Sequence, residues 1–249
     1  MAKTPKMRVD QRLVEMGLVE SRSRAQAVIM AGLVFSGETR LQKPGQMLAA
    51  DAPIELRGQD HPWVSRGGLK LAHALEEYDL DPTGATAIDV GSSTGGFTDV
   101  LLNHGAAKVF AVDVGRGQLA WKLRSDERVV VLEQTNARHL TAEQITELAD
   151  WVVCDASFIG LRTVLPAALT LTKPAATLVA LIKPQFEVGR EQVGKKGVVR
   201  DPELHQAVCD EIELWLAAQP GWQVLGITPS PITGPEGNRE FLIVGRKTG

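Results

Sequence analysis

The sequence predicts an α/β protein, a mostly parallel sheet covered by helices on both faces, preceded by a small α+β unit. From Thr86 onward, continuous apolar runs alternate with stretches of helical spacing, as expected of parallel strands buried on both sides. Before residue 64 the pattern is two short helical stretches and a few strand-like runs. The 249 residues are 44% hydrophobic and 23% charged. Those values exclude disordered, collagen-like and coiled-coil chains.

Taken in order, Val9, Leu13 and Met16 fall at helical spacing, and Gly17 can end that helix. Ser21 is a suitable N-cap for a second helix through Ala25, Val28 and Ile29, stopping at Gly32. The apolar run Leu33–Phe35, a Ser36-Gly37 turn, and strand-like stretches at Gln46–Leu48 and Pro53–Arg57 complete a unit of residues 1–60. A unit of that size is marginal alone. The polar stretch Gly58–Pro62 reads as a linker, assigned to 61–64, before a domain of residues 65–249. In that domain, expected strands are Thr86–Val90, Lys108–Val112, Val129–Leu132, Trp151–Cys154 and Thr177–Ile182. Phe97–Asn103, Gln118–Arg124 and Leu161–Leu171 lie between them as expected helices. A helix at Glu203–Ala218 then precedes strands Gln223–Thr228 and Glu240–Gly245, close enough to pair antiparallel.

The net charge of −3 hides an asymmetry: residues 1–64 carry nine Lys/Arg against seven Asp/Glu, and most of the excess precedes residue 25. Lys3, Lys6, Arg8, Arg12, Arg22 and Arg24 there face Asp10, Glu15 and Glu20, a bias that fits a polyanion. No apolar run approaches the roughly 20 residues that span a bilayer. Met1–Asp10 lacks the apolar core of a secretory signal. Cys154 and Cys209 sit in apolar segments, which argues against disulfides and cysteine zinc sites and for a cytoplasmic location. The five histidines are scattered, so no metal site is expected.

The strongest local signal is Ala87-Ile88-Asp89-Val90-Gly91-Ser92-Ser93-Thr94-Gly95-Gly96-Phe97-Thr98-Asp99, a strand entering a small-residue turn and then a helix. Its glycines allow close backbone approach to a ligand, and the helix start offers free N–H groups. The spacing is not that of a pyrophosphate-binding dinucleotide loop. Asp113 ends the next strand, where a carboxylate can accept from both hydroxyls of a ribose. A nucleoside cofactor without pyrophosphate fits both features, and S-adenosylmethionine is the natural candidate. Asp155 and Lys183 end two further strands on the same side of the sheet, so their charges can meet above it.

With those residues in view, the chain resembles the TlyA-type ribosomal RNA 2′-O-methyltransferases, an S4 RNA-binding domain joined to an FtsJ/RrmJ-like methyltransferase. The resemblance rests on Arg12-Leu13-Val14, Ser21-Arg22-Ser23-Arg24-Ala25 and Val64-Ser65-Arg66-Gly67-Gly68-Leu69-Lys70. It continues through the Asp89–Asp99 loop, Lys183-Pro184-Gln185-Phe186-Glu187, Thr228-Pro229-Ser230-Pro231-Ile232 and Gly237-Asn238-Arg239-Glu240-Phe241. It implies a Rossmann-like fold with a seven-stranded sheet and a Lys-Asp-Lys-Glu catalytic set at Lys70, Asp155, Lys183 and Glu240. It implies S-adenosylmethionine as cofactor, with Gly91, Gly95, Gly96, Phe97 and Thr98 near the methionine moiety. Asp113 is implied at the ribose and Asn136 with Ala137 near adenine; Asp89, Ser92 and Asp155 join the cofactor set. The implied reaction is 2′-O-methylation of a cytidine in ribosomal RNA, in the large subunit foremost.

A ribose hydroxyl is a poor nucleophile, so an enzyme must align it with the sulfonium methyl and remove its proton during attack. Lys183 is the expected base, although a free lysine has a pKa near ~10.4. Desolvation and the charge of Lys70 would lower that value, while Asp155 would raise it. Asp155 and Glu240 are expected to orient the two amines. Expected RNA contacts are Arg8, Arg12, Arg22 and Arg24, then Arg66, then Lys195 and Lys196 in a Gly189–Arg200 loop that could fold over substrate. The competing readings are a non-catalytic RNA-binding assembly factor and a membrane-active haemolysin. The complete set of four argues against the first.

Overall fold

The computed structural model describes residues 6–19, 21–57 and 61–248. The expectations for Lys3, for Glu20 and for the polar stretch at 58–60 lie outside the described residues. The chain divides into two compact units, Met1–Pro62 and Trp63–Gly249.

In the first unit, β1 (Lys6–Arg8) leads directly into α1 (Val9–Glu15). The Ser21 hydroxyl accepts from the Arg24 N–H and starts α2 (Arg22–Met30). Val9, Leu13, Ala25, Val28 and Ile29 of these helices share a core with Val34, Leu41 and Ile54. Burying such side chains contributes about 1.5–3 kcal/mol each, which short helices need because they are marginal in isolation. β2 (Val34–Ser36), β3 (Thr39–Arg40) and β5 (Glu55–Leu56) form one small sheet, while β4 (Met47–Ala49) pairs antiparallel with β1. Nothing in Lys6-Met7-Arg8 forecasts a strand; pairing with Met47–Ala49 makes it one.

The second unit opens with α3 (Gly67–Glu77), β6 (Thr86–Val90), α4 (Gly96–Asn103), β7 (Lys108–Val112), α5 (Trp121–Arg124) and β8 (Val129–Leu132). Then follow β9 (Ala149–Cys154), α6 (Leu161–Val164), α7 (Pro166–Thr170), β10 (Thr172–Ile182) and α8 (Pro184–Glu187). It ends with α9 (Pro202–Ala217), β11 (Trp222–Pro229) and β12 (Phe241–Lys247). Among the described residues, seven strands form one sheet in the order β11-β12-β10-β9-β6-β7-β8. Five of them run parallel, and β12 lies antiparallel between β10 and β11.

Alternation along the strands feeds two cores. Leu178, Ala180 and Ile182 of β10 join Leu161, Val208 and Ile212 from α6 and α9. Val179 and Leu181 join Leu71 and Ala74 of α3 with Val100 and Leu101 of α4. Three details depart from the sequence reading. Leu161–Leu171 is two short helices, because Pro166 has no N–H to continue the first and starts the second. The helix α3 was not anticipated, since Gly67-Gly68 weakens its start even though Leu71, Ala74 and Leu75 have helical spacing. Trp63 and Val64 belong to the second unit rather than to a linker. The Val64 N–H donates to the buried Asp99 carboxylate at 2.8 Å, and a Cβ on Gly68 would come within 2.5 Å of the Trp63 ring.

Candidate active site

The topology gathers four charged side chains at one edge of the sheet. Asp155 follows β9 and Lys183 follows β10, both at carboxyl ends. β12 runs the opposite way, with Phe241 opposite Ile182, so Glu240 arrives at that same edge from the start of its strand. The first turn of α3 supplies Lys70. Lys70 Nζ donates to Glu240 Oε2 at 2.7 Å and lies 3.3 Å from Asp155 Oδ2. Lys183 Nζ lies 2.6 Å from Asp155 Oδ1 and donates to the Asp155 carbonyl and to Ser157 Oγ, each at 3.0 Å. Asp155 thus spans both amines, while Glu240 bonds to Lys70. Lys70, Lys183 and Glu240 are 7%, 6% and 3% exposed. Removing one partner of such a buried pair leaves a charge unmatched, at a cost of about 3–5 kcal/mol.

Two cavities open here. The larger, about 510 Å³, is lined by these four residues together with Asp89, Ser92, Gly96 and Phe97. The second, about 360 Å³, is lined by Asp113, Asn136, Ala137, Val114 and Phe158. Gly91, Ser93, Asp155 and Ser157 line both. Gly91 has φ +80° and a Cβ there would stand 2.7 Å from Ala156 Cα, so the wall between them requires glycine. Gly96 is pressed so closely on the α3 start that a Cβ would lie 2.9 Å from Gly68 N.

Asp113 accepts from the Ser93 N–H at 2.8 Å through Oδ2 and from the Gly115 N–H at 2.7 Å through Oδ1. A carboxylate so held keeps lone pairs for further donors. Asn136 accepts from the Arg138 N–H and opens the single turn Ala137–His139. Asp89 is fully buried: Oδ2 accepts from the Thr98 N–H at 3.0 Å and the Thr98 hydroxyl at 2.6 Å, while Oδ1 has no hydrogen-bond partner. Burial pushes this carboxyl up to about 7.

Other expected residues fall elsewhere. Thr98 stands behind the wall, fixing Asp89, and Gly95 faces Leu119 and Leu123. Arg12 corrects its expectation: it is buried and donates to the Ala49 carbonyl at 2.7 Å, so it ties α1 to β4 instead of facing a phosphate. Arg8 and Arg22 converge on the buried Asp10 carboxylate at 2.8 and 3.1 Å and remain 40% and 54% exposed. Arg24 is half-buried on α2. Arg66 is exposed at the rim of the larger cavity and donates to the Thr233 carbonyl. Lys195 and Lys196 are exposed, yet the segment is not a free loop. Val198 and Val199 are buried, and the Asn238 side chain bonds to the Val199 N–H and the Gly197 carbonyl.

Three residues were missed: Ser157, Phe158 and Glu187. Phe158 is 90% exposed beside the second cavity, at φ +67°, its ring tilted against Phe186 at 5.2 Å. A bulky residue in that backbone region is a genuine outlier. Glu187 accepts from the Leu161 N–H at 2.7 Å and so ties the Ser157–Gly160 loop to α8. Position-specific strain and long-range bonds of this kind leave no local sequence pattern.

The sheet order and the paired cavities at its carboxyl edge define a Rossmann-like ligand-binding fold, and the family it matches is one of methyltransferases. Residues 63–247 match the family model described as FtsJ-like methyltransferase, and residues 7–54 match the S4 domain. A Bacillus subtilis protein named as a candidate rRNA methyltransferase, YqxC, is 51% identical over 96% of this chain and 85% of its own. The 16S/23S rRNA (cytidine-2′-O)-methyltransferase TlyA of Mycobacterium tuberculosis is 47% identical over 95% of this chain and 88% of its own. A solved structure of a candidate hemolysin from Streptococcus thermophilus is 44% identical, covering 98% of this chain and 90% of that one with TM-score 0.78. The chain belongs to the FtsJ-like methyltransferases, and within them to the TlyA type that carries an S4 domain in front. Among the described residues, no helix is long and apolar enough to cross a membrane and no group of acidic, histidine or cysteine side chains could hold a metal.

Proposed function

We propose that this chain is a cytoplasmic enzyme that methylates the ribose 2′-hydroxyl of a cytidine in ribosomal RNA, using S-adenosylmethionine. The observation that carries the reading is the meeting of Lys70, Asp155, Lys183 and Glu240 where two cavities share a wall. A non-catalytic RNA binder needs no such buried charge network, which is costly to assemble.

The residues present fit the cofactor. The unpartnered Asp89 Oδ1, buried at the larger cavity, suits an ammonium group, and an amino-acid moiety brings one. Asp113 would take the ribose hydroxyls, with Asn136 and Ala137 beside the base and Gly91, Ser92, Gly96 and Phe97 along the methionine end. The bound cofactor supplies a methyl group made electrophilic by a sulfonium. Lys183 accepts the hydroxyl proton, Asp155 holds both amines in register, and the Lys70–Glu240 pair fixes Asp155 from the other side. Arg8, Arg22 and Arg24 of the S4 unit, with Arg66, Lys195 and Lys196, would hold RNA phosphates.

Mass-spectrometric mapping of ribosomal RNA from cells with and without the protein tests this. One or more 2′-O-methylcytidines should vanish in its absence and return with the purified enzyme and S-adenosylmethionine. An unchanged methylation map would overturn the reading.

A further inference from the structure

We propose that the Ser157 hydroxyl relays the substrate proton to Lys183, a role that rests on the methyl-transfer reading above. Three oxygens surround the lysine nitrogen: Asp155 Oδ1 at 2.6 Å, the Asp155 carbonyl at 3.0 Å and Ser157 Oγ at 3.0 Å. An ammonium can donate to all three. The neutral amine, the form able to take a proton, has a lone pair in place of one N–H. A carboxylate and a carbonyl have nothing to donate into that lone pair. Among the three neighbours, the hydroxyl alone both donates and accepts.

Position points the same way. Ser157 is exposed, whereas the lysine behind it is 6% exposed. Ser157 lines both cavities and Lys183 lines the larger. A ribose hydroxyl at the shared wall can therefore bond to Ser157 Oγ, with the Lys183 amine 3.0 Å from that oxygen. In the step, the 2′-oxygen bonds to the methyl carbon as the carbon–sulfur bond breaks, its electron pair staying on sulfur. The 2′-hydroxyl proton passes to Ser157 Oγ while the serine's own proton passes to the Lys183 lone pair. Serine ends unchanged, lysine ends as an ammonium, and the positive charge lost at sulfur is regained at nitrogen.

Two measurements test the relay. In the free protein the Lys183 nitrogen sits among three acceptors as an ammonium does, so Ser157→Cys should place a thiol against a positive charge and the pH midpoint of its alkylation by iodoacetamide should fall below the ~8.5 of a free cysteine. The midpoint should return toward that value in Ser157→Cys/Lys183→Met. Cys154 and Cys209 do not compete, because burial pushes their thiols up to about 12 and about 11. An unshifted midpoint overturns the contact and the relay with it. In single-turnover transfer to ribosomal RNA from cells lacking the protein, Ser157→Ala should slow the rate by about 100-fold, the lower end of the span of proton-transfer catalysis. Calorimetric affinities for S-adenosylmethionine and RNA should stay within about twofold, and Ser157→Thr should recover most of the rate. An unimpaired Ser157→Ala, or equal loss in the alanine and threonine variants, overturns the relay alone. A wild-type enzyme that transfers no methyl overturns the proposed function as well.

Discussion

Asp89 carries opposing demands in one carboxyl group. In the unfolded chain it ionises near 3.8, and burial in the fold pushes it up to about 7 against the opposing bonds from Thr98. The folded state therefore binds this proton more tightly than the unfolded state. Its contribution to stability is full below about pH 4 and is lost as the pH climbs through about 7. Asp89→Asn keeps an acceptor for Thr98 without the charge. Relative to wild type, it should melt higher at pH 8 than at pH 5, while its affinity for S-adenosylmethionine falls because the ammonium loses its partner. Calorimetric melting at the two pH values checks the first point, and an identical pH dependence in both proteins would refute it. At this scale the sequence was partly legible. Charge alone could not separate Arg12 from Arg8 and Arg22, although Arg12 lies three residues after Val9 and so shares the buried face of α1. Lys70, Asp155, Lys183 and Glu240 come from four distant stretches, and no local pattern joins them. The family resemblance named them together, and the antiparallel register of β12 on β10 supplies the physical reason they meet.

Among elements, the connection from β9 to α6 matters most, because it carries Asp155, Ser157 and Phe158. Its far end is held by Glu187, whose carboxylate accepts from the Leu161 N–H and whose carboxyl burial pushes upward. Glu187→Ala should leave that N–H without its acceptor, a loss of about 1–3 kcal/mol. It should also weaken S-adenosylmethionine binding, since Phe158 and Ile159 line the second cavity. Glu187→Gln, which keeps an acceptor, should lie closer to wild type in both respects. Wild-type cofactor affinity in Glu187→Ala would show that the loop needs no such anchor. The regular strands were legible from their apolar runs: β6, β7 and β8 span the residues expected from sequence. The departures have local causes, a proline between α6 and α7 and paired glycines at the start of α3.

For the whole molecule, each unit has its own buried core: Leu13, Ile29 and Leu41 in the first, and the two faces of the large sheet in the second. A protein lacking residues 1–62 should therefore keep S-adenosylmethionine affinity and lose methylation of ribosomal RNA. RNA affinity that persists with the same salt dependence would show that the S4 unit is not the anchor. The change of hydrophobic pattern at the boundary was legible in sequence, whereas the capture of Trp63 and Val64 by the second unit depends on Asp99 and Gly68, distant or featureless in the chain. Proton acceptance at Lys183 is the central step of the proposed chemistry. The most direct test is the single-turnover methylation rate of Lys183→Arg on ribosomal RNA, with both ligands saturating. A guanidinium keeps the positive charge but cannot take a proton, so the rate should fall by about 10²–10⁴-fold with cofactor and RNA still bound. Near-normal turnover in that variant would contradict the account, since the lysine would then serve as a charge and the proton would leave by another route.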